Sequence, residues 1–102
     1  MIRPTTVTLL SALPQAHGVY EAPAIEGREV FADVQSVTRR EAYEALSHGM
    51  HPEYILVLGD YSEYRDELYC ALEGRRYKIL RAYVRADRRI ELTIERVREH
   101  AL

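Results

Sequence analysis

Ile90-Glu91-Leu92-Thr93-Ile94-Glu95 is the stretch of sequence that decides the fold. Three apolar side chains alternate with three polar ones. This period of two places the apolar set on one face of a β-strand and the polar set on the other. The preceding segments carry similar runs, separated by short turns, which is the pattern of antiparallel strands joined as hairpins. The chain is therefore expected to be mainly β.

Five further strands are expected before this one. The third is apolar on both faces, which predicts burial on both sides. Phe31 lies on the polar face of the second strand and is expected to pack beneath a helix or a long loop. The side chains expected to point inward are Val30, Ala32 and Val34 in the second strand, Leu68, Cys70 and Leu72 in the fourth, and Tyr77 and Ile79 in the fifth. The six expected strands span residues 6–10, 29–37, 54–60, 67–73, 75–85 and 90–95.

A single helix is predicted over residues 39–48. Thr38-Arg39-Arg40-Glu41 matches a capping box, in which the Thr hydroxyl accepts from the Glu41 backbone N–H and the Glu carboxylate reaches back to the Thr N–H. Gly49 and Pro52 follow, and these are residues that end helices. The expected fold is a small, six-stranded, mostly antiparallel β-barrel, with this helix inserted between strands two and three. Closure of the sheet removes its exposed edges.

The length of 102 residues predicts a single domain spanning 1–102. Residues 11–28 contain two glycines and two prolines and are expected to form a long loop of the kind that is often functional or mobile. The composition, 47% hydrophobic and 29% charged, excludes a disordered chain. No apolar run is long enough for a membrane span, and no secretory signal is visible. One cysteine, Cys70, allows no internal disulfide and fits a reducing cytoplasm.

Charge is distributed unevenly along the chain. Residues 1–74 hold five arginines and twelve acidic residues, a net charge of −7. Residues 75–98 hold nine Lys and Arg and three acidic residues, a net charge of +6. Two interpretations stay open. Neighbouring strands can pair these charges within the sheet, or an acidic and a basic face can join unlike surfaces, including copies of the chain.

No constellation indicates catalysis, so the protein is expected not to be an enzyme and to have no catalytic, cofactor-binding or metal-binding residues. His48 and His51 have no companion ligands and are expected to be exposed turn residues. Cys70 is expected to be a small buried hydrophobe. The five glycines are too widely spaced for a phosphate loop.

Eight tyrosines stand out in a chain with one Phe and no Trp. Tyr43 and Tyr77 are expected to pack in the barrel, whereas Tyr61, Tyr64 and Tyr69 favour an interface. Arginine interleaved with tyrosine in the fifth strand also fits an OB-like module that binds single-stranded nucleic acid. The net charge of −2 argues against that alternative.

The order of several residue blocks resembles the head-closure proteins, or stoppers, of long-tailed bacteriophages. The resemblance covers about residues 29–97, and residues 1–28 match nothing in it. Ala42 and His51 depart from it, since Phe and an apolar residue are common there. The blocks are Asp33-Val34-Gln35-Ser36-Val37-Thr38-Arg39-Arg40-Glu41, Tyr43, Ala45, Gly49, Pro52-Glu53-Tyr54, Gly59-Asp60-Tyr61, Glu73-Gly74-Arg75-Arg76-Tyr77, Ile79, Arg81-Ala82-Tyr83 and Ile90-Glu91-Leu92.

The resemblance implies a small β-barrel with a helix and a long loop. It also implies a structural role in the virion, as a ring beneath the adaptor ring on the portal, made in the host bacterial cytoplasm. Such a ring closes the channel after DNA packaging, retains the genome and offers a docking platform for the tail. The implied partners are copies of the chain, the portal-bound adaptor, a tail-completion or tail-tube protein and, non-specifically, the DNA in the channel, with no membrane and no cofactor.

Segment 39–54 is implied to line or plug the channel. The alternatives are the OB-like nucleic-acid module and another phage connector, such as a tail-completion protein. The residues expected at a partner or ring interface, or in the channel, are Arg39, Arg40, Tyr43, His48, His51, Tyr54, Asp60, Tyr61, Tyr64, Arg75, Arg76 and Arg81.

Overall fold

A closed antiparallel barrel forms the body of the protein in a computed structural model that describes residues 4–12 and 27–97. Within these residues there are six strands and one α-helix, which confirms the expected fold class. The loop expected at 11–28 lies almost wholly outside the described residues, and Gly27 and Arg28 begin the second strand. The elements are β1 (Thr5–Leu10), β2 (Gly27–Ser36), α1 (Arg39–Leu46), β3 (Pro52–Leu58), a 3-10 turn (Tyr61–Glu63), β4 (Tyr69–Leu72), β5 (Arg75–Val84) and β6 (Ile90–Arg96).

The order of strands around the barrel is β1-β2-β3-β6-β5-β4, and the barrel closes where β4 pairs with β1. The chain is not a simple meander, because β3 pairs with β6 rather than with β4. The connection 59–68 carries the chain from the end of β3 to β4, which lies next to β1 on the far side. We call the end of the barrel at this connection the loop end, and the opposite end, where α1 leaves β2 and returns to β3, the helix end.

The barrel interior is filled by alternating side chains from every strand. Val7, Leu9, Leu92 and Ile94 are completely buried, and the predicted inward positions Val30, Ala32 and Val34 face or pack against this core. Ile55 and Val57, on the other face of β3, are also only 6% and 5% exposed, which confirms burial on both faces. The buried core comprises Val7, Leu9, Ala32, Leu56, Leu58, Cys70, Leu72, Tyr77, Ile90, Leu92 and Ile94.

The prediction for the start of the fourth strand is wrong. Leu68 was expected to point inward but is 59% exposed, and β4 begins only at Tyr69. Asp66 adopts a left-handed backbone conformation (φ 60°), which breaks the alternation before the strand begins. Glu67 is buried instead, because its carboxylate has two partners there: it accepts from the Arg28 guanidinium at 2.6 Å and from the Arg65 backbone N–H at 2.6 Å.

Phe31 was expected to pack beneath a helix or a long loop, but none of the described residues covers it. Phe31 is 67% exposed, and Tyr43, expected to pack in the barrel, is 78% exposed. None of the residues of α1 is buried, and the helix makes no extensive contact with any strand. The helix lies at the helix end of the barrel and does not cover the outer face of β2, so Phe31 stays exposed.

The helix boundaries follow the local sequence closely. Thr38 caps the N-terminus by accepting from the Glu41 backbone N–H at 3.2 Å. The Glu41 carboxylate accepts from the Thr38 hydroxyl at 2.8 Å rather than from its backbone N–H, which corrects the expected box. The helix ends at Leu46, two residues before the predicted end, and Gly49 (φ 73°) completes the turn that follows.

Candidate interaction surfaces

An exposed apolar row runs along α1 and its exit. Tyr43 and Leu46 lie three residues apart, which places them on the same side of the helix, and Met50 follows in the chain. Their exposed fractions are 78%, 52% and 39%. Neighbouring apolar side chains exposed at this level are typical of a surface that contacts another molecule. We call Tyr43, Leu46 and Met50 the helix row.

The arginines that begin this helix have little to hold them within the chain. Arg40 approaches Glu44 at 3.4 Å, but both side chains are mostly exposed, so the pair contributes little to stability. Arg39 forms no ion pair with another described residue. A cation at the N-terminal end of a helix opposes the helix dipole. Both arginines are therefore available to a partner at the helix end.

A groove with a volume of about 1080 Å³ lies at the helix end, where β5 begins and β6 ends. Glu95 bridges the elements there, because its Oε1 accepts from the His51 backbone N–H at 2.7 Å and holds the turn that enters β3. Four cationic side chains, two acidic ones and a tyrosine surround the groove. Its lining is His51, Glu53, Tyr69, Gly74, Arg75, Arg76, Lys78, Glu95, Arg96 and Val97.

The loop end, in contrast, neutralises its own charges. Arg88 bonds Asp60 at 3.2 Å and lies over the Tyr61 ring, with 5.1 Å between the guanidinium carbon and the ring centroid. Arg85 bonds Glu91 at 2.5 Å, and Arg89 approaches Asp87 at 3.9 Å. Three arginines of the basic segment 75–98 are thus paired with acidic residues at this end. Of these three, only the Arg88–Asp60 pair joins the basic segment to the acidic segment 1–74, and the other two pairs lie within the basic segment.

Hydrogen bonds fix the connection at the loop end. Asp60 accepts from the hydroxyl and the backbone N–H of Ser62 and from Arg88, and these bonds, the Ser62 hydroxyl foremost, hold the pKa of its carboxyl below the usual range. The Tyr64 hydroxyl donates to the Glu67 carbonyl at 2.8 Å. Burial, and then the nearby charges of Asp66 and Glu67, raise the pKa of Tyr64. The connection is therefore a well-defined cap on the barrel.

The structure divides the predicted interface residues among several places. Tyr54 is half-buried and packs against Tyr77, with ring centroids 6.1 Å apart in an edge-to-face arrangement. Arg81 lies on the outer wall of the barrel in β5. Asp60, Tyr61 and Tyr64 lie at the loop end. The predicted residues at the helix end are Arg39, Arg40, Tyr43, His48, His51, Arg75 and Arg76.

Sequence reasoning missed part of the helix-end surface. Lys78 and Arg96 line the groove beside Arg75, and Leu46 and Met50 extend the helix row. Lys78 could have been predicted from the alternation in β5, because Tyr77 points inward and its neighbour Lys78 must then point outward. Leu46 and Met50 follow Tyr43 at helical spacing in the sequence, but this spacing does not show whether the side chains contact the barrel or solvent.

The structure offers no activated nucleophile at its cysteine. Cys70 is completely buried, and burial raises its pKa to about 12, so its thiol stays protonated at neutral pH. Across residues 4–12 and 27–97, no three His, Cys, Asp or Glu side chains come together in a way that could hold a metal ion. None of the helical structure in the same ranges is long and apolar enough to span a membrane.

Two comparisons with known proteins find no match. A scan against protein-family models matches no family, and a search of curated proteins finds no match. The assignment of a function therefore depends on the residue blocks and on the surfaces described above.

Proposed function

We propose that this protein is a structural subunit of a phage head–tail connector that closes the channel after DNA packaging, retains the genome and provides the docking platform for the tail. The ordered residue blocks between Asp33 and Leu92 support the assignment. A small β-barrel with a helix, as found here, is also the architecture that the resemblance implies. In this role the protein acts in the virion and needs no cofactor.

The observation that carries the proposal is the helix row. Tyr43, Leu46 and Met50 project from a closed barrel, and the described part of the chain supplies nothing to cover them. Tyrosine and methionine are enriched at protein interfaces. An apolar row offers nothing to DNA phosphates, so it fits a protein partner better than a channel lining. The portal-bound adaptor or a tail protein is the partner that this role supplies.

The surroundings of the helix row add polar contacts to the same surface. Arg39 and Arg40 begin the helix, and the groove with Arg75 and Arg96 lies at the same end of the barrel. An apolar row flanked by charged groups is the usual anatomy of a protein interface.

A nucleic-acid-binding module is the second candidate, and the groove is the observation that favours it. Its cations and Tyr69 could contact the backbone and a base of single-stranded DNA. Glu53 and Glu95 in the same groove, and the net charge of −2, oppose such binding. Gel shift of single-stranded DNA at low salt, reversed by added salt, would support this candidate.

Deletion of the gene from the phage or prophage that carries it tests the proposal. We expect heads that package DNA but lose it and carry no tails, because the channel is left open. Electron microscopy of the particles and nuclease sensitivity of the packaged DNA measure both defects. Heads that keep their DNA and carry tails without this protein would refute the proposed function.

A further inference from the structure

The outer face of β2 carries two acidic residues with an aromatic ring between them. Glu29, Phe31 and Asp33 alternate with the inward residues Val30 and Ala32, so all three point away from the core. Phe31 is 67% exposed. Neither acidic residue forms an ion pair with another described residue. We call Glu29, Phe31 and Asp33 the acidic face.

The outer face of β5 carries cations in the corresponding arrangement. Lys78 follows the buried Tyr77 and points outward. A bulge between Ile79 and Arg81 keeps Arg81 on the same outer face, opposite Thr93 of β6. Neither cation forms an ion pair with another described residue. We call this surface, Lys78 and Arg81, the basic face.

Exposed apolar side chains adjoin the basic face. Tyr83 follows Arg81 on the same side of β5 and is 53% exposed. Tyr69, partly exposed, lies opposite Lys78 in β4 and points outward, since its neighbour Cys70 is buried. An aromatic ring that approaches the two cations would therefore meet apolar surface.

The barrel places these two faces on opposite sides. In the order β1-β2-β3-β6-β5-β4, strands β2 and β5 are separated by two strands in either direction. The acidic face and the basic face of one molecule therefore point away from each other and cannot pair within it. Two copies placed side by side in the same orientation can pair them, and this is a heterologous contact, which repeats from copy to copy.

The spacing of the charges suits such a contact. Glu29 and Asp33 are four residues apart in an extended strand, about 13 Å. Lys78 and Arg81 lie opposite Glu95 and Thr93, so the bulge shortens their spacing to about 7 Å. The long Lys and Arg side chains can close that difference. Two ion pairs would then flank Phe31, which would cover Tyr83 and Tyr69. Ion pairs around an apolar centre exclude water from it and fix the register.

We propose that the acidic face of one copy of this chain docks on the basic face of the next. The proposal deepens the connector function and rests on it for its role in the virion, since it names the surfaces through which neighbouring subunits meet. It is distinct from the helix row, which serves a different partner at the helix end.

Charge reversal tests the contact in the purified protein. One variant carries Glu29→Lys with Asp33→Lys, the other carries Lys78→Glu with Arg81→Glu, and sedimentation measures self-association over a range of concentrations. We expect the wild-type chain to associate at low salt, and salt to weaken the association by screening. Each variant alone should associate at least about tenfold more weakly. A mixture of the two variants, or one chain with all four changes, should restore association because unlike faces meet again.

The controls separate this contact from a general effect of charge. Glu63→Lys with Glu73→Lys changes the net charge by as much as Glu29→Lys with Asp33→Lys does, but on other surfaces, and should leave association unchanged. Thermal unfolding shows whether each variant is folded. A wild-type chain that stays monomeric up to about 1 mM at low salt would overturn the proposal. Reversal variants that associate as the wild type does would also overturn it.

A complementation assay distinguishes failure of this inference from failure of the proposed function. If the wild-type gene restores DNA retention to the deletion phage and both reversal variants do so equally well, the connector function stands and the contact is wrong. If only the wild type and the fourfold variant restore it, both proposals are supported. If the deletion phage retains DNA, the connector function fails, and sedimentation alone decides the contact.

Discussion

Replacement of Leu92 by alanine is expected to lower the free energy of unfolding by about 2–5 kcal/mol. Leu92 is completely buried at the middle of β6, opposite Leu56 of β3 and Ala82 of β5. Its removal takes apolar contacts from the core and leaves a cavity, because a closed barrel has little freedom to collapse around the gap. Chemical denaturation of both proteins measures the difference.

Leu68→Ala is the matched control for this prediction. The substitution is chemically the same, but Leu68 is 59% exposed, so we expect a change of less than about 0.5 kcal/mol. Equal losses for the two variants would show that Leu68 is buried, as the sequence alternation had suggested. They would also contradict the position of β4 described here.

Glu67→Gln is expected to lower the free energy of unfolding by about 1–3 kcal/mol. The carboxylate is 10% exposed and bonds the Arg28 guanidinium, itself 30% exposed, at 2.6 Å. A neutral amide can still accept from the Arg65 backbone N–H but leaves Arg28 without its counter-ion. The expected loss is moderate because water still reaches Arg28.

The effect of Glu67→Gln should concentrate in the connection 59–68. Amide hydrogen exchange should speed up there before it does so in β6, because Glu67 links this connection to β2. Glu63→Gln is the control, since its side chain has no bonded partner among the described residues. If both variants unfold at the same denaturant concentration as the wild type, the pair between Glu67 and Arg28 contributes nothing.

Local rules predicted the helix and the core. Thr38 and Glu41 are three residues apart in sequence, and their bonds depend on nothing outside the first turn of the helix. The alternation in β6 predicts its buried residues without any knowledge of the neighbouring strands, because it requires only that one face of the strand is buried. The same rule failed at Leu68, because a left-handed residue at Asp66 interrupts the strand, and a period of two does not show where a strand begins.

Exposure of Phe31 and Tyr43 could not be predicted from hydrophobicity. Large apolar side chains are usually buried, but the rule holds in one direction only, since a folded chain also exposes much apolar surface. Burial requires a neighbouring surface, and the position of α1 provides none for either ring. In the two proposals above, these two residues lie on the surfaces that contact other molecules.

The positions of the acidic face and the basic face on opposite sides of the barrel depend on long-range topology. The sequence shows acidic residues before position 75 and basic residues after it, but not which of them meet. The path of the connection 59–68 decides that β2 and β5 lie across the barrel from one another. The same path brings Asp60 to Arg88 and neutralises the loop end. The order of the strands around the barrel is therefore needed to predict which charges form ion pairs.

The most direct test of the connector function adds purified protein to DNA-filled heads made without it and measures the packaged DNA that survives nuclease. We expect the wild-type chain and Leu68→Ser to protect the genome, and Tyr43→Ser with Leu46→Ser to fail while unfolding at an unchanged temperature, because that variant loses only the exposed helix row. Heads that are protected before any protein is added, or that stay open to nuclease after the wild-type chain is added, would contradict the account.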